Sequence, residues 1–173
     1  KILCGSALCG GAAYALLERF FREFSIAAGF GDRPVYDVVN CLAEKAYREG
    51  KIPLGVATLF SGKRSDPTAT GSVTGITAEN FTPDSLALGF IFGICRELRD
   101  YIGDVTDKST VVASGNAVQK IGVMPDIIGE VFGLPVKISD GKEEASVGTA
   151  LFSAIAANEL RGIEDIADFI IYK

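Results

Sequence analysis

The chain predicts an α/β layered domain, and three observations carry that prediction. Short apolar runs such as Val111-Val112-Ala113 alternate with stretches of helical periodicity. Thr82-Pro83-Asp84 is a helix start, with a Thr cap, Pro at the first helical position and an acid in the first turn. Ser114-Gly115-Asn116 is a small, glycine-bearing turn that carries a buried strand straight into a helix.

In order, Lys1–Leu8 is an apolar run that fits a buried strand, and Gly10-Gly11 opens a helix through about Phe24. Gly29–Pro34 reads as a loop, followed by a helix from Tyr36 to Arg48. A strand fits Gly55–Phe60, and Ser61–Ala78, rich in Gly, Ser, Thr and Asp, reads as loop with a short strand near Ser72–Ile76. The helix opened by Pro83 carries Ala87, Ile91, Ile94, Leu98 and Tyr101 on one face, towards a core. Gly89 and Gly93 lie one turn apart on it and admit close packing by another element. Then come a strand at Thr110–Ala113, a helix from Ala117 to about Phe132, a strand at Pro135–Ile138, a helix from Glu143 to Asn158 and a short one from Ile163 to about Phe169. Small residues dominate one side of the Glu143 helix, so another backbone can approach it. No repeat, low-complexity segment or interdomain linker interrupts the series.

Composition narrows the function classes. With 173 residues, 48% of them apolar, the chain forms one domain able to bury a substantial core. A net charge of −5 without a basic run argues against a nucleic-acid partner. The apolar runs fall short of a membrane span and no signal peptide opens the chain, which points to the cytoplasm. Cys4, Cys9, Cys41 and Cys95 show no C-x-x-C pairing and read as free thiols. The absence of histidine removes the commonest general base, so proton abstraction needs a carboxylate or another part of the protein.

The corner at Ser114–Asn116 is the first candidate site. A strand-to-helix turn leaves N–H groups of the new helix unpaired, glycine lets a ligand approach the backbone, and the helix dipole favours a negative group such as phosphate. Other motifs fail. Gly62-Lys63 lacks the rest of a P-loop, since Ala57 and Arg64 stand where Gly and Ser or Thr are required. Asn80-Phe81-Thr82 reads as a strand-to-helix corner, not a glycosylation acceptor. Arg64 and Asp66 read as a loop ion pair, with substrate contact as the alternative. Glu143 and Glu144 suit a helix start.

Taken together, Gly10-Gly11, Asn80-Phe81-Thr82-Pro83, Ser114-Gly115-Asn116, Phe132-Gly133-Leu134-Pro135-Val136 and Glu144–Ala150 resemble the carboxy-terminal, nucleotide-binding domain of the FGGY carbohydrate kinases. Phe60–Pro67 with Gly71 resembles members related to sedoheptulokinase and xylulokinase. The resemblance implies an actin/hexokinase/Hsp70-like (ribonuclease H-like) fold, a mixed sheet with helices on both faces. It further implies ATP with Mg²⁺, and a sugar or polyol held mainly by a second domain. Carried over, Ser114 and Gly115 sit at the adenosine motif, Asn116 begins the helix beside the nucleotide, Gly10 and Gly11 line the nucleotide side of the cleft, and the Glu143 helix lies near the interdomain hinge.

The departures are informative. Ile121 follows Lys120 where relatives often carry asparagine, and neither Gly31-Asp32 nor Gly103-Asp104 continues into the Gly-Asp-x-Gln motif that holds the catalytic aspartate. The Gly-Thr phosphate loop before the first glycine pair is also missing, and Gly148-Thr149 lies within a helix. These departures describe a domain incomplete on its amino-terminal side, with no catalytic or metal-ligating residue of its own. Such a domain keeps an open sheet edge near Lys1–Leu8 and apolar surface on the Pro83–Ile102 and Glu143–Asn158 helices, so a homodimer or other self-association is expected. The alternative function is a nucleotide-binding or regulatory module without transferase activity.

Overall fold

The computed structural model describes residues 7–8, 10–103, 107–140 and 143–172. Its elements are α1 (Gly10–Ala27), α2 (Tyr36–Arg48), β1 (Gly55–Ala57), β2 (Ser72–Thr74), α3 (Pro83–Ile102), β3 (Val111–Ala113), α4 (Asn116–Lys120), α5 (Met124–Phe132), β4 (Val136–Ile138), α6 (Glu144–Ala156) and α7 (Ile163–Ile166), which runs into a 3₁₀ turn at Ala167–Phe169. The strand predicted for Lys1–Leu8 falls almost wholly outside the described residues, as do Cys4 and Cys9. Both senses of strand pairing are present, as a mixed α/β domain requires. Among the described residues they form two separate ladders: β1 with β2 antiparallel, β3 with β4 parallel.

The core is built around α3, against which α1, α2, β1 and α5 all pack. Val39, Ala43 and Ala46 of α2 are wholly buried, and their small side chains let α2 settle closely onto Ala87, Leu88 and Ile91. The predicted inward face of α3 holds for Ala87, Ile91 and Ile94, but Leu98 is 40% exposed. Elements surround the first turns of α3 on several sides, so Phe90 and Phe92 are buried too, while its last turns extend past this cover. The glycine pair has the predicted use: a Cβ on Gly89 would lie 2.6 Å from the Leu54 carbonyl oxygen, and one on Gly93 2.5 Å from that of Val56.

The start of α3 is capped as its sequence requires. Thr82 Oγ1 accepts from the Ser85 N–H, Pro83 occupies the first turn, and Asp84 accepts from Ser85 N–H at 2.9 Å and from Lys51 Nζ at 2.5 Å. Burial pushes the Asp84 carboxyl up, but the hydrogen bonds from Lys51, Thr82 and Ser85 outweigh it and hold the group at about 2. A folded pKa below the unfolded one stabilises the fold above about pH 4, and the gain is lost as pH falls towards 2. Lys51 is partly exposed, which screens the pair. Asp84→Asn should therefore cost about 1–2 kcal/mol at pH 7 in urea unfolding, with the difference from wild type vanishing near pH 2.

One expectation needs correction. The helix predicted from Ala117 to Phe132 is two helices, broken at Ile121–Val123. Pro125 cannot continue a helix from Ile121, because its ring meets that carbonyl and it lacks an N–H. Gly122 packs so closely on α2 that a Cβ there would lie 2.5 Å from Glu44 Oε1. The break turns Ile121, Val123 and Met124 into the core, each at most 4% exposed. The small face of α6 stays open to another backbone: among the described residues nothing lies within 4 Å of a Cβ at Gly148.

Smaller features follow the same logic. Asp66 does not pair with Arg64; it accepts from the N–H and Oγ1 of Thr68 at 3.0 and 2.7 Å. Asn80 closes its own turn, accepting from Thr77 N–H and donating to the Gly75 carbonyl, both at 2.7 Å. Glu18, 4% exposed, accepts the Val35 N–H at 2.9 Å and so joins α1 to the start of α2.

Candidate functional site

The β3–α4 corner is made by Gly115, whose φ of 95° lies in the region that favours glycine. It turns the chain from Ala113 into Asn116, and β3 is held on one side by β4, with Val111 N–H on the Pro135 carbonyl at 2.9 Å and Ser139 N–H on that of Ala113 at 3.0 Å. Val111, Val112 and Ala113 line a cavity of about 1080 Å³, above the range of about 300–1,000 Å³ usual for ligand sites.

Of the predicted site residues, Gly10, Gly11, Ser114 and Asn116 line this one cavity, although they come from distant parts of the sequence. Gly115 makes the bend and is not itself on the wall. Among the described residues, nothing beyond their own stretch of helix lies within 4 Å of a Cβ built at Gly10 or Gly11, so their surface is open there. The polar wall also contains Tyr14 from α1, and Tyr36, Asp37 and Asn40 from α2, which sequence reasoning did not single out. Their helical spacing was the available signal: Tyr36 and Asn40 are one turn apart, as are Gly10 and Tyr14. The other walls are apolar, from Ile94 and Leu98 of α3 and Met124, Ile128 and Phe132 of α5.

Charge is sparse here. Asp37 and Lys120 are the charged residues of the lining. Burial, and then the neighbouring Tyr36, push the Tyr14 phenol above its ordinary value, so it stays protonated. Burial also pushes the Cys95 thiol up to about 12, despite Arg96, which leaves Cys95 an inert wall residue 3.6 Å from Met124 Sδ. Cys41 and Cys95 are free thiols. Among the described residues no group of three or more His, Cys, Asp or Glu is placed to hold a metal ion. No helix among them is long and apolar enough to cross a membrane.

The two helix starts at the cavity differ in electrostatic weight. α4 has five residues and a correspondingly small dipole, which weakens the phosphate argument made for the Ser114–Asn116 corner. α1 has eighteen residues and no acid in its first turn, so its N-terminus at Gly10 carries the stronger positive end. A largely apolar cavity with one polar wall suits a flat heterocycle with a hydroxylated sugar. It offers little for acid–base chemistry.

The fold is a mixed α/β domain that recurs within several solved kinases. The chain superposes on xylulose kinase from Lactobacillus acidophilus with a TM-score of 0.71 at 15% identity, covering 92% of this chain and 32% of that one. For xylulose kinase from Rhodospirillum rubrum the values are 0.70, 20%, 94% and 32%. For the glycerol kinase of Plasmodium falciparum, solved with ADP, they are 0.62, 16%, 85% and 30%. The chain thus spans about a third of the length of these kinases. No curated protein sequence matches it. Residues 42–157 match the C-terminal domain of the FGGY family of carbohydrate kinases, and the chain belongs to that family.

Proposed function

We propose that this chain is the nucleotide-binding half of an ATP-dependent carbohydrate kinase that transfers the γ-phosphoryl group of ATP to a sugar or polyol hydroxyl in the cytoplasm. The observation that carries the reading is the convergence of Gly10 and Gly11 with Ser114 and Asn116 on one cavity. The nucleoside lies against the β3–α4 corner and the Tyr14–Tyr36 wall, and the phosphates run towards the start of α1. There the helix dipole favours negative charge, and glycine leaves room for it. Mg²⁺ supplies neutralisation of the phosphate charge when it arrives with ATP; the described residues offer no cluster to hold it themselves.

This chain's work is to bind and orient. Phosphoryl transfer depends on positioning and charge stabilisation, and a carboxylate must take the acceptor proton. Among the described residues Asp37 is the one carboxylate of the lining, and it stands on the nucleoside wall beside Tyr36. The base and the sugar site belong to the facing domain in this reading, and the residues that select the sugar lie there too. The exposed apolar residues of α6, Val147 and Phe152, are the surface by which the isolated chain self-associates.

The isolated chain should bind ATP yet give no sugar phosphate above background with ATP, Mg²⁺ and a panel of ketoses and polyols. Robust turnover would contradict this division of labour. Absence of ATP binding in the intact protein would contradict the nucleotide assignment itself.

A further inference from the structure

Three helices wall the polar side of the cavity, and one side chain joins all three. Asn40 of α2 accepts through Oδ1 from the Tyr14 hydroxyl of α1. Its Nδ2 donates to the Lys120 carbonyl oxygen, the last of α4, at 3.1 Å. The two partners dictate the amide orientation. A backbone carbonyl only accepts, so the Lys120 carbonyl requires Nδ2 on its side, which leaves Oδ1 to accept from the protonated Tyr14 phenol; a flipped amide would set two acceptors against each other at Lys120.

The tie adds to a light hold on a short element. α4 has no fully buried side chain; Val118 packs partly on the core, Ile121 just beyond it is buried, and its last carbonyls have no partner within the helix. Its far end is fixed by Asn40, and its near end is the Ser114–Asn116 corner. On the other side, the same amide fixes the ring of Tyr14, one turn along α1 from Gly10. We infer that Asn40 is a positioning residue for nucleotide binding, setting the separation between the α1 wall and the β3–α4 corner. The inference rests on the nucleotide reading above; Asn40 spends both polar ends on protein partners and acts through them.

The test is ATP affinity by calorimetry, with thermal unfolding of the ligand-free protein, in the intact protein carrying this chain. Asn40→Leu keeps the side-chain bulk and removes both bonds; Tyr14→Phe keeps the ring and removes one. Asn40→Leu should weaken ATP binding about tenfold or more and Tyr14→Phe about threefold, as the loss of two bonds and of one implies. Gly11→Val reports separately on the nucleotide reading. If Gly11→Val weakens binding while Asn40→Leu and Tyr14→Phe lower only the melting temperature, Asn40 is merely structural and the inference fails while the reading stands. If ATP affinity is unchanged in all three, the nucleotide lies elsewhere and both fail. Should Asn40→Leu not fold, Tyr14→Phe decides alone, with unchanged affinity counting against the tie.

Discussion

Gly11→Ala is expected to leave the fold as stable as wild type, or more so, and to weaken ATP binding. The two effects have opposite signs because the residue has two unrelated roles. Within a helix, alanine is favoured over glycine by up to about 1 kcal/mol, and among the described residues nothing beyond its own stretch of helix lies within 4 Å of the added Cβ. The space it enters is the cavity, where the proposal puts the nucleotide. Gly11→Val fills more of that space and should weaken binding about 10–100-fold, the equivalent of one or two backbone hydrogen bonds to a charged group. Gly115 is a poorer probe. With φ at 95°, any side chain there strains the backbone, so lost binding in Gly115→Val would not separate strain from contact. Calorimetry and urea unfolding on the Gly11 variants make the comparison. Weaker binding at undiminished stability is the expected outcome, and unchanged affinity in Gly11→Val would argue against a ligand on the α1 wall.

The largest effect on stability is expected at Gly93. Its Cβ would come 2.5 Å from the Val56 carbonyl oxygen, and 3.2 Å from both Val56 Cβ and Thr58 Cγ2. These are strand and buried atoms, held by the pairing of Val56 with Val73 and by the hydrogen bond from Thr58 Oγ1 to Glu97 at 2.5 Å. They cannot swing aside as an exposed side chain can, so α3 and β1 must separate. Gly93→Ala should cost about 3 kcal/mol, at the upper end for overpacking, and Gly93→Val more. For a domain of this size that lowers the melting temperature by roughly 6–12 °C. A change below about 0.5 kcal/mol, the scatter of surface substitutions, would mean that β1 does not press on α3 as described.

What could be read from the sequence was mostly local chemistry. The Thr82–Pro83 cap, the α2 limits, and the glycines of the Gly29–Pro34 loop, two with positive φ, all act within a few residues of themselves. The break between α4 and α5 was missed because the apolar spacing of Ile121, Met124, Ile127 and Ile128 continues through it. Periodicity masked two breakers: Pro125, which acts locally on the Ile121 carbonyl, and Gly122, whose meaning depends on α2 lying against the turn. For α6 the small-residue stripe implied a close partner, and a stripe alone cannot say whether that partner lies among the described residues. The candidate site divides in the same way. Its glycines and the Ser114–Asn116 corner stand out as motifs, whereas Tyr14, Tyr36 and Asn40 are ordinary helix residues. They become a wall only when α1, α2 and α4 converge.

The central claim is that the nucleoside of ATP occupies the cavity between α1, α2 and the β3–α4 corner. Photolabelling of the intact protein with 8-azido-ATP, followed by peptide mapping, tests it most directly, since the azide on the purine marks whatever lies beside the base. The account predicts label on peptides containing Tyr14, Tyr36–Asn40 or Ser114–Lys120, suppressed by excess ATP. ATP-protected label confined to α6 or to the Ser61–Gly71 loop would contradict it.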